Sequence, residues 1–524
     1  MSSQTPVPDK EKRSGISVHP QVFGLSAGLI LLFIVVTLVN LDGAEATFNA
    51  VKDGITRRFG WFLILSVQGF LLFCIYLAVS RFGLIRIGGP GARPEFTTAS
   101  WFAMLFSAGM GIGLMFWSVA EPILHLQNPP GAAGMTTEGA QRALDLTFLH
   151  WGLHVWGIYA LVGLSLAYFT FNRGLPLTIR SAFYPLLGDR IYGWLGDVVD
   201  ILAVVATMFG IATSLGFGVA QINAGLNYVF GIDFSRNAQM FLIAIITAVA
   251  TISVASGLDR GIKRLSQVNM IAALVLMFFV LLVGPTLFLF KNFVQSTGHY
   301  LQNLLTLGSW TETYSREASW QGSWTIFYWS WWIAWSPFVG MFIARISRGR
   351  TVREFVLGVL IVPSILTFIW VSTFGGSAIY ETLFVDTGIL DAANSNTATA
   401  LFELLTRYPL ADLSALLAVF LVFIFFVTSC DSGSLVMDII TAGGRLDAPV
   451  PQRIFWAVMS GVVAAVLTIG GGLTALQTAS ITTGLPFAVV LVLMAWCLLK
   501  AFREEIPPMS HATAREMYRR GPKS

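Results

Sequence analysis

The chain has 524 residues, with 32 Lys+Arg against 28 Asp+Glu and a net charge of +4 when histidine is neutral. Charged residues make up 11% and hydrophobic residues 55%, with mean hydropathy +0.72, whereas soluble domains carry about 25% charged residues. So few charges cannot coat a water-facing globule, and 41 Phe with 16 Trp exclude a disordered chain.

Residues 1–20 are polar and read as a cytoplasmic tail. No cleavable leader is expected, because the apolar run from Val22 is long enough to stay as a span. About 20 apolar residues cross a bilayer. Twelve such runs lie near 22–40, 60–80, 98–119, 144–170, 193–228, 238–257, 266–290, 322–346, 353–376, 410–440, 453–470 and 476–500. The fold class read from them is an all-α polytopic membrane protein with 12 transmembrane helices. The fifth and tenth runs exceed the needed length, so tilt or breaks are expected there. With the N-terminus inside, one set of loops holds 24 basic residues and the other 8. That bias puts both termini in the cytoplasm. It also accounts for the basic balance without nucleic acid as a partner. Phe293 to Leu307 has mixed polarity and reads as an amphipathic periplasmic helix within a 293–320 connector. Residues 501–524 read as a short basic cytoplasmic tail. Cys74, Cys430 and Cys497 sit singly in apolar runs, with neither disulfide nor zinc spacing.

Intramembrane backbone must satisfy its own hydrogen bonds, so breaks point to sites. The third run contains Ser107-Ala108-Gly109-Met110-Gly111-Ile112-Gly113. Glycines at every fourth position would signal close helix packing. Spacing of two favours local unwinding, which bares amides for an anion and carbonyls for a cation. In the fourth run, helical spacing puts Trp151, Tyr159 and Trp156 on one arc narrower than half the helix circumference. His150 and His154 are one turn apart, but with no third ligand nearby, packed and hydrogen-bonded histidines are expected rather than a metal pair. The eighth run places Trp331, Trp332 and Trp335 too deep for an interfacial belt, with Pro337 beyond them. Ring faces at mid-depth suit a quaternary ammonium, each contributing about 0.5–2 kcal/mol. The tenth run carries Thr428-Ser429-Cys430-Asp431-Ser432. Hydroxyls there either bond the previous turn or supply hard oxygens for a small cation such as sodium. The offset from Gly111 to Pro337 nearly equals that from Thr207 to Thr428. This weak duplication suggests inverted repeats around a mid-membrane site, covering 98–292 and 321–500 after two N-terminal spans in 21–97.

The stretches FSAGMGIGLMFW with Ala120-Glu121-Pro122, HWGLHVWGIY, WWIAWSPFVG with ARISRGR, and FFVTSCDSGS resemble the betaine/choline/carnitine transporter family. They lie in order from about residue 98 to 440. The resemblance implies a leucine-transporter-type fold with two inverted five-helix repeats, commonly a homotrimer, in a bacterial inner (plasma) membrane. It implies a trimethylammonium box of Trp151, Trp156, Tyr159 and Trp332, with Trp331 and Trp335 along the path. It puts the substrate carboxylate on the amides of Gly109–Gly113, beside Ala108. Phe116, Phe338 and Phe342 map to gating positions. One sodium maps to Ser107, Met110, Phe425, Thr428 and Ser429. A second sodium would use Thr207, near Phe338, but Ile211 stands where the family's other threonine belongs. Proton-coupled choline carriers of the family carry Asp at the position of Gly113.

The expected function is therefore sodium-coupled symport of glycine betaine or a related trimethylammonium or dimethylsulfonium solute, with sodium as coupling ion and no organic cofactor. Proton-coupled choline uptake and carnitine/butyrobetaine exchange are the alternatives. The short tail argues against strong osmosensing. A channel would need a continuous polar path, whereas the polar residues gather at one depth. No nucleophile stands in a recognised constellation, so no enzyme is expected.

Overall fold

The structure, a computed structural model, describes residues 17–256, 259–315, 320–447 and 449–506. Residues 1–16 and 507–524, most of both expected tails, lie outside the described residues. Within them the chain is helical, and its sole β feature is an isolated bridge from Arg86 to Thr351.

The long helices run in chain order: α1 (Pro20–Val39), α2 (Leu41–Val79), α3 (Thr98–Gly109), α4 (Ile112–Gln127), α5 (Thr137–Trp151), α6 (Leu153–Phe171), α7 (Trp194–Phe230), α8 (Arg236–Ser256), α9 (Asp259–Val283), α10 (Thr286–Gly308), α11 (Thr325–Ile346), α12 (Val352–Phe384), α13 (Ala411–Thr441) and α14 (Val450–Glu505). Among the described residues nine spans are long and apolar enough to cross a membrane, α5 with α6 counting as one, and the bent pair α3–α4 makes a tenth. The expectation was twelve. The difference has two sources. The runs 453–470 and 476–500 are two helices, as expected, but they join without a loop and count once as the continuous stretch α14; they meet at a kink at Gly471 and Gly472, where Gly472 takes φ 55° and ψ −128°, a conformation that only glycine tolerates. The run 322–346 becomes α11, whose indoles, serines and proline lower its hydropathy below that of a plain lipid-facing span.

Of the tilt or breaks expected in the fifth and tenth runs, breaks are absent. α7 and α13 run unbroken for 37 and 31 residues. α11 also continues through Pro337. The ring removes the amide that would bond the Ile333 carbonyl. The Ser336 hydroxyl donates to that carbonyl instead, at 2.7 Å, so the helix survives. Three other interruptions appear. Gly152 is non-helical (φ −102°, ψ −135°) and splits the expected fourth span into α5 and α6. Gly284 and Pro285 end α9 early, so α10 starts at Thr286, inside the expected first repeat. The third interruption is the α3–α4 bend described below.

Small residues set the approach of the helices that carry the rings. A Cβ on Gly340 of α11 would lie 2.5 Å from Val162 of α6. Such contacts let backbones approach closely, as membrane interfaces favour. α14 packs on α7 and α2, α11 on α6, and α12 on α3 and α4. The outer face of α1 leaves Leu25, Leu29, Leu32 and Val36 exposed while Val22, Ile30 and Ile34 turn inward, the pattern of a helix at the rim.

Candidate functional site

The α3 helix stops at Gly109. Met110 (φ −91°, ψ 129°) and Gly111 (φ −170°, ψ −178°) are extended, and α4 restarts at Ile112, the two axes meeting at 61°. No side chain caps α4, and a helix leaves its first amides without intrahelical partners. The residues at this helix start, Gly111, Ile112 and Gly113, line a cavity of 230 Å³. A Cβ on Gly111 would meet nothing within 4 Å, so close packing does not explain that glycine. Unwinding does.

Every expected substrate residue lines this same cavity: Ala108 to Gly113, Trp151, Trp156, Tyr159, Trp331, Trp332 and Trp335. Trp331 and Trp332 stack with centroids 4.5 Å apart and planes 15° apart. Trp151 sets its edge against Trp332 at 4.8 Å, and Trp156 meets Tyr159 edge-on at 5.3 Å. The single helical arc expected for Trp151, Trp156 and Tyr159 does not exist, because Gly152 separates Trp151 from the other two. The rings converge nonetheless. A Cβ on Gly152 would press 2.7 Å from the Phe368 ring.

Polar anchors fix the rings. Trp332 Nε1 donates to the His150 carbonyl at 2.9 Å. Trp335 Nε1 donates to the Gly210 carbonyl at 2.7 Å, and Trp331 Nε1 to the same oxygen at 3.3 Å. Trp151 Nε1 donates to Glu121 Oε2 at 2.7 Å. The lining contains no Lys, Arg, Asp or Glu among the described residues.

The expected sodium residues Ser107, Met110, Phe425, Thr428 and Ser429 line the cavity too. The Thr428 hydroxyl donates to the Ile424 carbonyl at 2.9 Å, which leaves its oxygen lone pairs free to accept. Phe338 and Phe342 line the cavity. Phe116 does not; it stacks on Phe217 at 5.0 Å beside Trp117. Thr207 is buried outside the lining with its hydroxyl on Ala203. Ile211 is buried against Gly433. Thr213 is held by Leu476 and Ser480.

The chain matches the family described as "BCCT, betaine/carnitine/choline family transporter" over residues 21–507. The chain belongs to the betaine/carnitine/choline transporter family. Among its relatives, a glycine betaine/proline/choline transporter of Vibrio parahaemolyticus is 45% identical, covering 94% of this chain and 91% of the relative. A second protein of that organism, glycine betaine transporter 1, is 47% identical over 95% of this chain and 96% of its own length. A glycine betaine transporter of Acinetobacter baylyi is 46% identical over 95% and 75%. The family and these relatives are transporters, not enzymes, and this chain is a multi-pass membrane transporter.

Some contacts around the cavity of the transporter escape a sequence reading. His150 does not pair with His154. It meets Glu121 Oε1 at 2.6 Å and Thr325 at 2.9 Å, while His154 bonds Gln68 at 2.8 Å. The expectation that no third ligand lies nearby is overturned, since Glu121, His125 and His150 bring donor atoms within 4.8 Å of one another. Glu121 is a lone acid in an apolar run, and that signal alone could have marked it. Gly210 carries no such signal; its carbonyl accepts from the Trp331 and Trp335 indoles, and a Cβ there would press 2.9 Å from Trp335.

Proposed function

We propose that this transporter is a sodium-coupled symporter of glycine betaine or a close analogue with a trimethylammonium or dimethylsulfonium head, such as dimethylsulfoniopropionate. One observation carries the reading: a single uncharged cavity holds both the stacked indoles and the bare N-terminus of α4. Ring faces attract a methylated cation that has no N–H to donate. The bare amides attract a carboxylate. A zwitterion satisfies both ends and brings no net charge into a wall without counter-charges. A bare cation such as choline would leave the amides unpaired. Relatives named for glycine betaine agree with this.

In this reading the coupling sodium sits among Ser107, Met110, Phe425, Thr428 and Ser429. Thr207 with Phe338 is the candidate second site. At roughly 100 mV and a tenfold gradient, one sodium supplies about 3.7 kcal/mol. That supports several hundredfold accumulation of a net-neutral solute. The protein lies in the inner membrane with both termini cytoplasmic, two N-terminal helices preceding inverted repeats of 98–292 and 321–500, and assembles as a homotrimer.

The test is uptake into proteoliposomes of betaine, choline, carnitine and dimethylsulfoniopropionate, with sodium and proton gradients imposed separately. Betaine uptake that stops without sodium is expected. Full-rate uptake in its absence rejects the symport, and proton-driven choline uptake or carnitine exchange would replace it. Ser429→Ala should raise the sodium concentration for half-maximal uptake by about tenfold, the cost of one lost oxygen ligand. An unmoved sodium curve places the ion elsewhere.

A further inference from the structure

Behind the cage lies a fully buried acid. Glu121 sits on α4, two turns past the bare N-terminus. Its Oε2 accepts from Trp151 Nε1 at 2.7 Å and from the Tyr328 hydroxyl at 2.5 Å. Its Oε1 faces His150 Nδ1 at 2.6 Å and His125 Nε2 at 3.1 Å. Four groups able to donate converge on two oxygens. An ionised carboxylate accepts from all of them and has no proton to place. The same unit touches the second cage indole, because Trp332 bonds the His150 carbonyl and Tyr328 stacks on Trp332 at 5.9 Å.

Among the described residues the cavity wall offers a cation no formal negative charge. Attraction must come from ring quadrupoles. An indole whose N–H is held by an anion is polarised: electron density moves from the N–H bond toward the ring, and the ring face grows more negative. Charge-assisted hydrogen bonds are about twice as strong as neutral ones, and a low local dielectric enlarges the polarisation. Trp151 is placed for this, with its N–H on the carboxylate and its ring in the cavity wall.

We propose that Glu121 is a positioning and specificity-determining residue whose carboxylate, acting through the Trp151 N–H, makes the cage prefer a permanent cation over an uncharged molecule of the same shape. The inference rests on the betaine reading of the cavity. Its probe is tert-butylacetate, which replaces the betaine nitrogen by carbon and keeps the carboxylate and the three methyl groups. A merely structural role would weaken both ligands alike.

The experiment measures binding of both compounds to the purified full-length transporter and takes the ratio of affinities. Glu121→Gln keeps the size and one acceptor oxygen but removes the charge. It should lower the ratio about tenfold. Glu121→Asp keeps the charge and should hold the ratio within about twofold, even where both affinities fall. Tyr328→Phe leaves Oε2 to Trp151 alone, so the ratio should hold or rise; this variant serves also where changes at Glu121 impair folding. Equal weakening of both ligands in Glu121→Gln overturns the proposal, as does a lower ratio in Tyr328→Phe. A wild-type protein that binds tert-butylacetate as tightly as betaine overturns it too, while one that binds neither rejects the betaine reading itself.

Discussion

A Trp332→Leu variant should bind glycine betaine on the order of thirtyfold more weakly, with its fold retained. A desolvated cation–ring contact contributes about 2 kcal/mol, which is that factor. Trp332 also stands between two other rings, stacked on Trp331 at 4.5 Å and edged by Trp151 at 4.8 Å, so its loss loosens both. The fold has a milder cost. The His150 carbonyl lies in the last turn of α5, next to the interruption at Gly152, and its bond from the Trp332 indole would be lost. One such bond costs about 1–2 kcal/mol, well within what a packed bundle tolerates. Calorimetric titration of purified protein reads the affinity, and thermal melting reads the fold. An unaltered affinity in a folded variant would remove Trp332 from the cage.

What the sequence made legible, and what it hid, divides by range. The glycine spacing in Gly109–Gly113 announced the α3–α4 interruption, because local backbone chemistry decides it. The deep indoles of the eighth run were legible for a similar reason: Trp331, Trp332 and Trp335 have no use in a lipid-facing helix at that depth. Their anchors were hidden. Glu121 meets Trp151 across 30 residues and Tyr328 across 207, and no periodicity records such pairs. Whether Pro337 breaks the eighth run was hidden for a different reason. A proline deletes one bond, and the neighbouring Ser336 hydroxyl supplies another to the same carbonyl, so composition alone could not separate a kinkable helix from an intact one. Gly152 was read as an ordinary member of a helical run. Its role depends on Phe368, which reaches it from α12.

Replacing Gly113 by Asp should reverse the preference of the site. A Cβ at this position would lie 2.7 Å from Cη2 of Trp331 and 3.0 Å from Cη2 of Trp151. The indoles must therefore shift, and cation binding weakens. The introduced carboxylate adds a second effect. It stands in the first turn of α4, where a negative charge is favoured, so the helix accepts it readily. It then holds the amides that the substrate carboxylate needs, and repels that carboxylate by several kcal/mol at an effective dielectric near 20. Betaine affinity should fall on the order of a hundredfold. Choline, which has no carboxylate, meets the steric cost but gains a counter-charge. Gly113→Ala separates the two effects, since it brings the Cβ without the charge and should weaken betaine and choline alike. Competition binding with both ligands on all three proteins gives the answer. If Asp weakens betaine no more than Ala does, the α4 N-terminus does not hold the substrate carboxylate, and the zwitterion must lie in the cavity another way.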